Sequence, residues 1–199
     1  MGQGKVLQEW LGDEHLLLML DLLREDVSEK YQNRVLIENT HFATLLAAAY
    51  NEREKYMTRR SYGWIRDRGN QLANGNKAYL ATIVNQNNTH WVGLIIDFEE
   101  KKVWYGDSLG NPMDATLRDI VKWWTFHHTG MHFTHANLVT SQQCDSFSCG
   151  MLAWDTIQYH LNNFSTTQMD PTQPFNERLK IFLRLIKHHN LSHQQVSDL

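Results

Sequence analysis

The spacing of apolar residues divides the chain into helical segments on both sides of a strand-rich middle. Apolar positions recur at helical spacing in GDEHLLLMLDLLRED, NTHFATLLAAAYNE, MDATLRDIVKWWTFHH, CGMLAWDTIQYHL and FNERLKIFLRLIKHH. AYLATIV, HWVGLIIDF and KKVWYGDS are short β-branched and aromatic runs typical of neighbouring strands, and HANLVTS is a fourth strand candidate. Helices around a small, mostly antiparallel sheet make an α+β fold.

Helix starts and irregular segments follow from capping and breaker residues. Asp13 is expected to cap the first helix, and Asn39 or Thr40 the second. The residues expected to face inward in these helices are Leu16, Leu17, Leu20, Leu23, Phe42, Leu45, Leu46 and Ala49. Residues 53–76 are polar and lack clear periodicity, and the proline-containing TTQMDPTQPF is expected to link two late helices.

The central hairpin brings a histidine and an aspartate together. If Asp97 and Glu100 close a two-residue turn, the numbers of paired residues sum to 197, and His90 lies opposite Asp107. Opposed residues have Cβ atoms about 4.5–5.5 Å apart, so the carboxylate can hold one imidazole nitrogen. A slip of one residue would separate the two side chains, and two solvated polar residues at strand ends are the alternative. Both faces carry apolar residues, so the sheet is expected to be covered on both sides.

Both cysteines lie in the loop SQQCDSFSCG. Cys149 begins an apolar helix, where unpaired N–H groups and the helix dipole favour a thiolate, so it is the nucleophile candidate. The alternative is a small buried hydrophobic residue at a helix start. Cys144 is expected to be a bystander. Gln143 can supply an amide donor to an oxyanion hole beside the Cys149 N–H; Gln142 is its rival, and a solvated loop glutamine is the alternative.

Composition narrows the class of protein. The 199 residues are 42% apolar and 21% charged, which fits one domain over residues 1–199, with 1–7 interpreted as a cloning remnant or a trimmed edge. The net charge of −3 argues against nucleic-acid binding, and no apolar run reaches membrane-spanning length. Two cysteines cannot form a disulfide framework, so an intracellular site is expected, cytoplasmic or nuclear, or a host cell for a secreted effector.

Two further clusters are assigned structural roles. His127, His128, His132 and His135 lie close in sequence, but no cysteine or acidic ligand pattern accompanies them. A solvated helix end is therefore favoured over zinc, and no metal site is expected. The basic-aromatic stretch YMTRRSYGWIRDR is interpreted as a solvated loop or part of a substrate-binding surface.

In chain order, the motifs WLGDEHL, HWVGLIIDFEEKKVWYGDSLGN and QQCDSFSCGM resemble the ubiquitin-like-protein-specific cysteine proteases. This group includes SUMO proteases, deneddylases and the adenoviral protease. The resemblance spans roughly residues 8–190. It implies a papain-like but permuted cysteine-protease fold, with the site residues in the order His, Asp, Gln, Cys.

The resemblance also implies a role for each catalytic residue. His90 would be the general base, Asp107 would orient it, Cys149 would attack, and Gln143 would complete the oxyanion hole. Many relatives carry Asp immediately before the nucleophile, whereas this chain has Ser148. Because that residue is not one of the catalytic groups, we interpret the change as divergence of a subfamily.

By the same resemblance, Trp10, Asp13 and Trp91 line a narrow tunnel for a Gly-Gly tail. In the predicted hairpin, Trp91 faces away from His90, so a lid role requires the strand to end or twist at His90. The implied substrates are ubiquitin or a ubiquitin-like modifier, such as SUMO or NEDD8, and its conjugates.

The implied reaction is hydrolysis of the peptide or isopeptide bond after the tail, through a thioester and without a cofactor. A monomer is expected, with no nucleic-acid or membrane partner. Two alternatives remain open. One is an acyltransferase, because some related bacterial effectors acetylate proteins with a similar site; the other is an inactive modifier-binding module.

Overall fold

The structure, a computed structural model, describes residues 10–197, with side chains for residues 10–190. The segment 1–7, predicted as a remnant or trimmed edge, lies outside the described residues. The helices are α1 (Asp13–Asp26), α2 (His41–Asn51), α3 (Gly63–Ala73), α4 (Ala115–Thr129), α5 (Cys149–Leu161) and α6 (Pro174–Ser197). The strands are β1 (Val35–Ile37), β2 (Tyr79–Gln86), β3 (His90–Asp97), β4 (Lys102–Gly106) and β5 (Thr134–Asn137).

The five strands form one sheet in the order β1–β2–β3–β4–β5. The central strands β2, β3 and β4 pair antiparallel, whereas β1 pairs with β2, and β5 with β4, in parallel. The predicted α+β fold is confirmed, with its antiparallel pairing in the middle of the sheet.

Helices cover both faces of the sheet, as the two-sided apolar pattern of the hairpin predicts. One apolar core joins α1 and α5 to the face that carries Trp91 and Ile95. The other joins α2, α3 and α4 to the opposite face. Gly93 lets α5 approach closely, because a Cβ there would stand 3.1 Å from the Ala153 carbonyl oxygen. This contact fixes α5, and therefore Cys149 at its first position, against β3.

The register predicted for the hairpin is wrong by two residues. Asp97 lies opposite Lys102, so the numbers of paired residues sum to 199 rather than 197. Extended past the last pair, this register sets Asp107 opposite Val92 and makes it a diagonal neighbour of His90. A slip of two residues returns each side chain to the same face, which keeps His90 and Asp107 together.

The turn of the hairpin explains the error. It holds four residues, 98–101, rather than two. The Oδ1 atom of Asp97 accepts the backbone N–H groups of Glu99 and Glu100, each at 2.9 Å. Lys101 then adopts a left-handed conformation with φ of 54°. The aspartate that was expected to end the strand therefore builds the turn.

Two local expectations need correction. Gly12 caps α1, and the expected cap Asp13 is the first helical residue. The stretch 53–76, expected to be irregular, contains two 3₁₀ turns and α3. In α2, Thr40 occupies the cap position without a side-chain bond, while Asn39 Oδ1 accepts the N–H of His41 at 3.0 Å. Of the helices described, none is long and apolar enough to cross a membrane.

Candidate active site

A histidine and an aspartate meet where β3 begins and β4 has just ended. His90 Nε2 lies 2.6 Å from Asp107 Oδ1. The same oxygen accepts the N–H of Leu109 at 2.7 Å, and Asp107 Oδ2 lies 3.5 Å from the Tyr105 hydroxyl. The Asp107 side chain is 1% exposed, so solvent does not compete for it. Because a carboxylate only accepts hydrogen bonds, this contact places the proton of the neutral imidazole on Nε2.

The other side of the imidazole faces a thiol. The pKa of His90 is raised, chiefly by a hydrogen bond with the Cys149 side chain; burial opposes this shift, and Asp107 reinforces it. Since Nε2 is bonded to Asp107, Nδ1 is the ring nitrogen left for Cys149. The imidazole therefore stands between a carboxylate and a thiol, as acid–base activation of a cysteine requires.

Cys149 is the first residue of α5 and is buried. Its neighbour Gly150 leaves little room for a side chain, because a Cβ there would stand 3.2 Å from Leu16 and 3.4 Å from Trp91. The thiol thus sits at a helix start closely covered by other elements. The first N–H groups of a helix have no intrahelical partner, so they can face a developing negative charge.

The loop before Cys149 places Gln143 by hydrogen bonds at both ends of its amide. Gln143 Nε2 donates to the carbonyl oxygen of Asp145 at 2.8 Å. The Ser108 hydroxyl donates to Gln143 Oε1 at 2.9 Å. Its rival Gln142 is exposed and lines a cavity of about 550 Å³ beside Gly110. The structure thus gives Gln143, and not Gln142, a fixed amide.

Asp145, which the sequence analysis did not single out, organises the approach to the helix. Its Oδ1 accepts the N–H groups of Phe147 at 2.9 Å and Ser148 at 2.8 Å. Its Oδ2 accepts the Ser148 hydroxyl at 2.6 Å. An aspartate that bonds backbone N–H groups two and three residues later is a recognised turn pattern, and this was the signal available in the sequence. Ser148, where many relatives carry Asp, is therefore a partner of Asp145.

Two tryptophans converge on the same helix start. Trp10 is 39% exposed, and its indole N–H donates to the Ser146 carbonyl oxygen at 2.8 Å. Trp91 is 3% exposed and lies in the same apolar core as Cys149. Among the described residues, the Trp91 indole N–H has no hydrogen-bond partner. Asp13 is exposed at the first turn of α1.

Trp91 and His90 point to different faces, as the hairpin pattern indicated. His90 is the first residue of β3, so it stands at the end of the strand. From there it reaches Cys149 on the Trp91 side while keeping its bond to Asp107.

The clusters that were set aside remain apart from this site. Cys144 is exposed, and its thiol donates to the Gln142 carbonyl oxygen at 3.6 Å. His128 is bonded to the Tyr56 hydroxyl, so the expected solvated helix end is wrong for this residue. Tyr56, in the stretch expected to be a solvated loop, is buried. No group of three His, Cys, Asp or Glu side chains that could hold a metal occurs within the described part of the chain.

Comparison with known proteins agrees with this geometry. Solved structures of similar fold include a SUMO protease Ulp1 with an oxidised catalytic cysteine, with a TM-score of 0.66 and 22% identity over 93% of this chain and 79% of that chain. The Ulp1 protease domain in complex with Smt3, the yeast orthologue of SUMO, has a TM-score of 0.64 and 21% identity, over 92% of this chain and 78% of that chain. The effector XopD of Xanthomonas campestris bound to ubiquitin has a TM-score of 0.55 and 19% identity, over 87% of this chain and 91% of that chain.

These structural likenesses concern the fold. A sequence search of curated proteins finds no match. A family model, that of the C-terminal catalytic domain of the Ulp1 protease family, matches residues 9–186. That span includes the histidine, the aspartate and the cysteine described above, and the chain belongs to the Ulp1 protease family.

Proposed function

We propose that this chain is a cysteine protease that cleaves the peptide or isopeptide bond after the C-terminal Gly-Gly of ubiquitin or a ubiquitin-like modifier. The observation that carries the proposal is the bond of His90 Nε2 to Asp107 Oδ1 at 2.6 Å, with the Cys149 thiol as the largest cause of the raised pKa of His90. Membership of a protease family supports the reaction class.

The first half of the reaction forms a thioester. His90 Nδ1 takes the proton of the Cys149 thiol, and the sulfur attacks the carbonyl carbon of the terminal glycine. The C=O electron pair moves to the oxygen, where the N–H of Cys149 and the amide of Gln143 stabilise it. When the oxyanion re-forms the carbonyl, the C–N bond breaks and the imidazolium donates its proton to the leaving amine.

The second half releases the modifier. His90 takes a proton from water, and the resulting hydroxide attacks the thioester carbonyl. When the C–S bond breaks, the imidazolium returns its proton to the sulfur of Cys149, and the modifier leaves with a free carboxyl group. Asp107 stays ionised throughout, since its role is to hold the imidazole and to stabilise the imidazolium. Each step uses groups of this chain and water, so the proposed reaction needs no cofactor.

The proposed tail site lies between Trp10 and Trp91. The first is tied to Ser146, just before the nucleophile, and the second lies against Gly150, just after it. In this proposal, a chain held between two indoles beside Cys149 would be limited to glycine, whose lack of a side chain lets it pass. Asp13, exposed at the start of α1, is proposed to contact the modifier ahead of its tail.

The proposed modifiers are SUMO, NEDD8 and ubiquitin. Among proteins of similar fold, one solved structure is a complex with the yeast SUMO orthologue and another is bound to ubiquitin. The experiment is a panel of the three modifiers, each carrying a C-terminal electrophile. We expect at least one to form an adduct at Cys149, retained in Cys144→Ser and absent in Cys149→Ala. Failure of all three, or an adduct at Cys144, would contradict the proposal.

The same panel addresses the two alternatives. An acyltransferase would turn over acetyl-CoA in the presence of an acceptor and would leave Gly-Gly substrates intact. An inactive binding module would bind a modifier without any adduct at Cys149. The family match and the two tryptophans at the helix start favour the protease.

A further inference from the structure

The Gln143 amide is held by groups from two different loops. Ser108, the residue after Asp107, is 2% exposed, and its hydroxyl donates to Gln143 Oε1 at 2.9 Å. On the other side, Gln143 Nε2 donates to the Asp145 carbonyl oxygen at 2.8 Å. The Gln143 backbone N–H also donates to the Ser108 carbonyl oxygen at 2.8 Å. The turn that carries the aspartate is thereby joined to the loop that carries the nucleophile.

The direction of this amide decides whether it helps or harms acyl transfer. A glutamine amide has an acceptor end and a donor end of nearly the same shape. If its oxygen faced the developing oxyanion, the two negative centres would repel each other, whereas its N–H groups stabilise that charge. A glutamine in an oxyanion hole therefore needs neighbours that distinguish its two ends.

The neighbours of Gln143 make this distinction. The Asp145 carbonyl can only accept, so it must face Nε2. The Ser108 hydroxyl then donates to Oε1, which satisfies the acceptor end away from Nε2. An amide nitrogen carries two N–H groups, and the bond to the Asp145 carbonyl oxygen uses one of them. Asp145 Oδ1 lies 3.4 Å from the same nitrogen, longer than an ordinary N–H···O bond. The second N–H is therefore held weakly and can turn to the substrate oxygen.

We propose that Ser108 is a positioning residue of the oxyanion hole, which fixes the Gln143 amide so that its second N–H faces the reacting carbonyl. The inference rests on the proposed protease function and extends it to a residue outside the catalytic set. The backbone bond between Ser108 and Gln143 does not involve the hydroxyl. Removal of the hydroxyl thus leaves the two loops joined and releases only the amide.

The effect of Ser108→Ala follows from this arrangement. Without its donor, Oε1 is left unpaired, and the amide can rotate away from its productive direction. Loss of a complete side-chain donor costs about 10²–10³-fold in kcat, so partial loss of its orientation should cost roughly 10-fold. KM should stay within about twofold, because the contact strengthens only in the transition state.

A double-mutant cycle tests the inference, with Ser108→Ala, Gln143→Ala and the double variant compared with wild type on a modifier–aminocoumarin substrate. Ser141→Ala is the matched control, because the Ser141 hydroxyl also donates one hydrogen bond, but to the Met169 backbone carbonyl oxygen, at 3.2 Å, and not to Gln143. We expect kcat losses of roughly 10-fold for Ser108→Ala and roughly 100-fold for Gln143→Ala. The double variant should be no slower than Gln143→Ala, since Ser108 acts through Gln143.

Alkylation of Cys149 by iodoacetamide gives the second readout. This reaction builds no oxyanion, so its rate should stay within about twofold in every variant. The positioning role would be overturned by unchanged kcat in Ser108→Ala, by additive losses in the double variant, or by an equal loss of alkylation. In each of these cases, cleavage by the wild-type protein would still support the proposed function. A wild-type protein that cleaves no modifier substrate would overturn both.

Discussion

His90 and His128 have the same imidazole side chain, but their surroundings in the protein differ. His90 stands between a carboxylate and a thiol at the start of β3, and its pKa is raised, chiefly by the bond with Cys149. His128 lies in the last turn of α4, where its Nε2 meets the Tyr56 hydroxyl at 2.9 Å. Burial, and secondarily the neighbouring His127, lowers the pKa of His128 to about 4.

The difference shows what makes a histidine reactive. At His90, both neighbours favour the charged imidazolium, so a proton can be held and passed on near neutral pH. At His128, the phenol of Tyr56 accepts a further bond from the Trp124 indole N–H at 3.0 Å, and no charged partner offsets burial. His128 is therefore a neutral, buried side chain of the core beneath α4. The four histidines within residues 127–135 do not indicate a catalytic site.

The largest expected effect comes from removing the thiol that distinguishes the His90 region. Cys149→Ala should reduce cleavage of a modifier–aminocoumarin substrate by roughly 10⁴-fold or more, because no other group in the site can form the thioester. Binding of the modifier, measured by calorimetry, should persist. Cys144→Ser should keep most activity; if it is as inactive as Cys149→Ala and still folded, the nucleophile has been misassigned.

The second effect comes from the carboxylate partner of His90. Asp107→Asn should fold normally and lose between roughly 10-fold and 10⁴-fold in kcat, because the asparagine amide can donate to Nε2 and favour the wrong tautomer. Iodoacetamide should report a smaller loss, since a thiol ionises more readily than a hydroxyl and depends less on base assistance.

Asp97→Asn is the matched control for this substitution. Asp97 lies at the far end of β3, roughly 23 Å from His90 at the usual rise per strand residue. Its carboxylate serves the hairpin turn. Turnover should therefore stay close to wild type. Equal losses for Asp97→Asn and Asp107→Asn would show that the hairpin, and not the contact with His90, is being measured.

The third effect concerns the indole beside the nucleophile. Trp91→Ala leaves His90, Asp107 and Cys149 in place but removes one wall of the proposed tail site. Misplacement of a reacting group by about 1 Å can cost on the order of 100-fold, and we expect a loss of that size in kcat/KM. Trp104→Ala, on the same face of the sheet but in β4, should lose packing without a comparable loss of turnover.

A modifier ending in Ala-Ala should resist cleavage, and its ready hydrolysis would refute a narrow tunnel.

The smallest effect on turnover is expected at the other histidine. His128→Ala breaks the bond to Tyr56 and opens space beneath α4, so the free energy of unfolding should fall by about 1–3 kcal/mol in urea titrations. Turnover at 25 °C should stay within about twofold, since the site is elsewhere. A large loss of kcat in a fully folded His128→Ala protein would make the two regions less distinct than their surroundings indicate.

The same variant has a predictable dependence on pH. The pKa of His128 in the folded protein is about 4, below its value of about 6.5 in an unfolded chain. Between these values the unfolded state binds the extra proton, so stability from this residue is complete above about pH 6.5 and is lost as the pH falls towards 4. The difference in unfolding free energy between wild type and His128→Ala should therefore shrink over that range; a constant difference would contradict a buried neutral imidazole.

Much of the fold could be predicted from the sequence because several elements carry long periodic patterns. Helix α5 begins and ends where the spacing of CGMLAWDTIQYHL indicates. The pairing of His90 with Asp107 on one face survived an error of two residues in register, because strand faces repeat every two residues. The pattern could not predict the length of the hairpin turn. That length depends on local backbone geometry, in which Asp97 accepts hydrogen bonds from the N–H groups of Glu99 and Glu100.

The elements and residues that were missed have weak signals. Strand β1 has only three residues, too few for a periodic pattern. Helix α3 buries only Ile65, Gly69 and Leu72 within a polar sequence. The Ser108 hydroxyl acts through a single hydrogen bond to Gln143, which lies in another loop, and such a contact is set by tertiary structure. Asp145 bonds residues of its own turn, a pattern that the sequence permits but does not single out. Serine and aspartate in loops are too common to mark them in advance.

The most direct test of this account is an NMR titration of the histidine side chains, with His90 and His128 assigned among the 11 histidines by substitution. The account predicts that the pKa of His90 lies above the ordinary value of about 6.5, and that it falls in Cys149→Ala because the thiol is the largest cause of the shift. The pKa of His128 should lie near 4. A His90 that titrates at or below the ordinary value, or is indifferent to Cys149→Ala, would contradict an imidazole poised between Asp107 and the nucleophile.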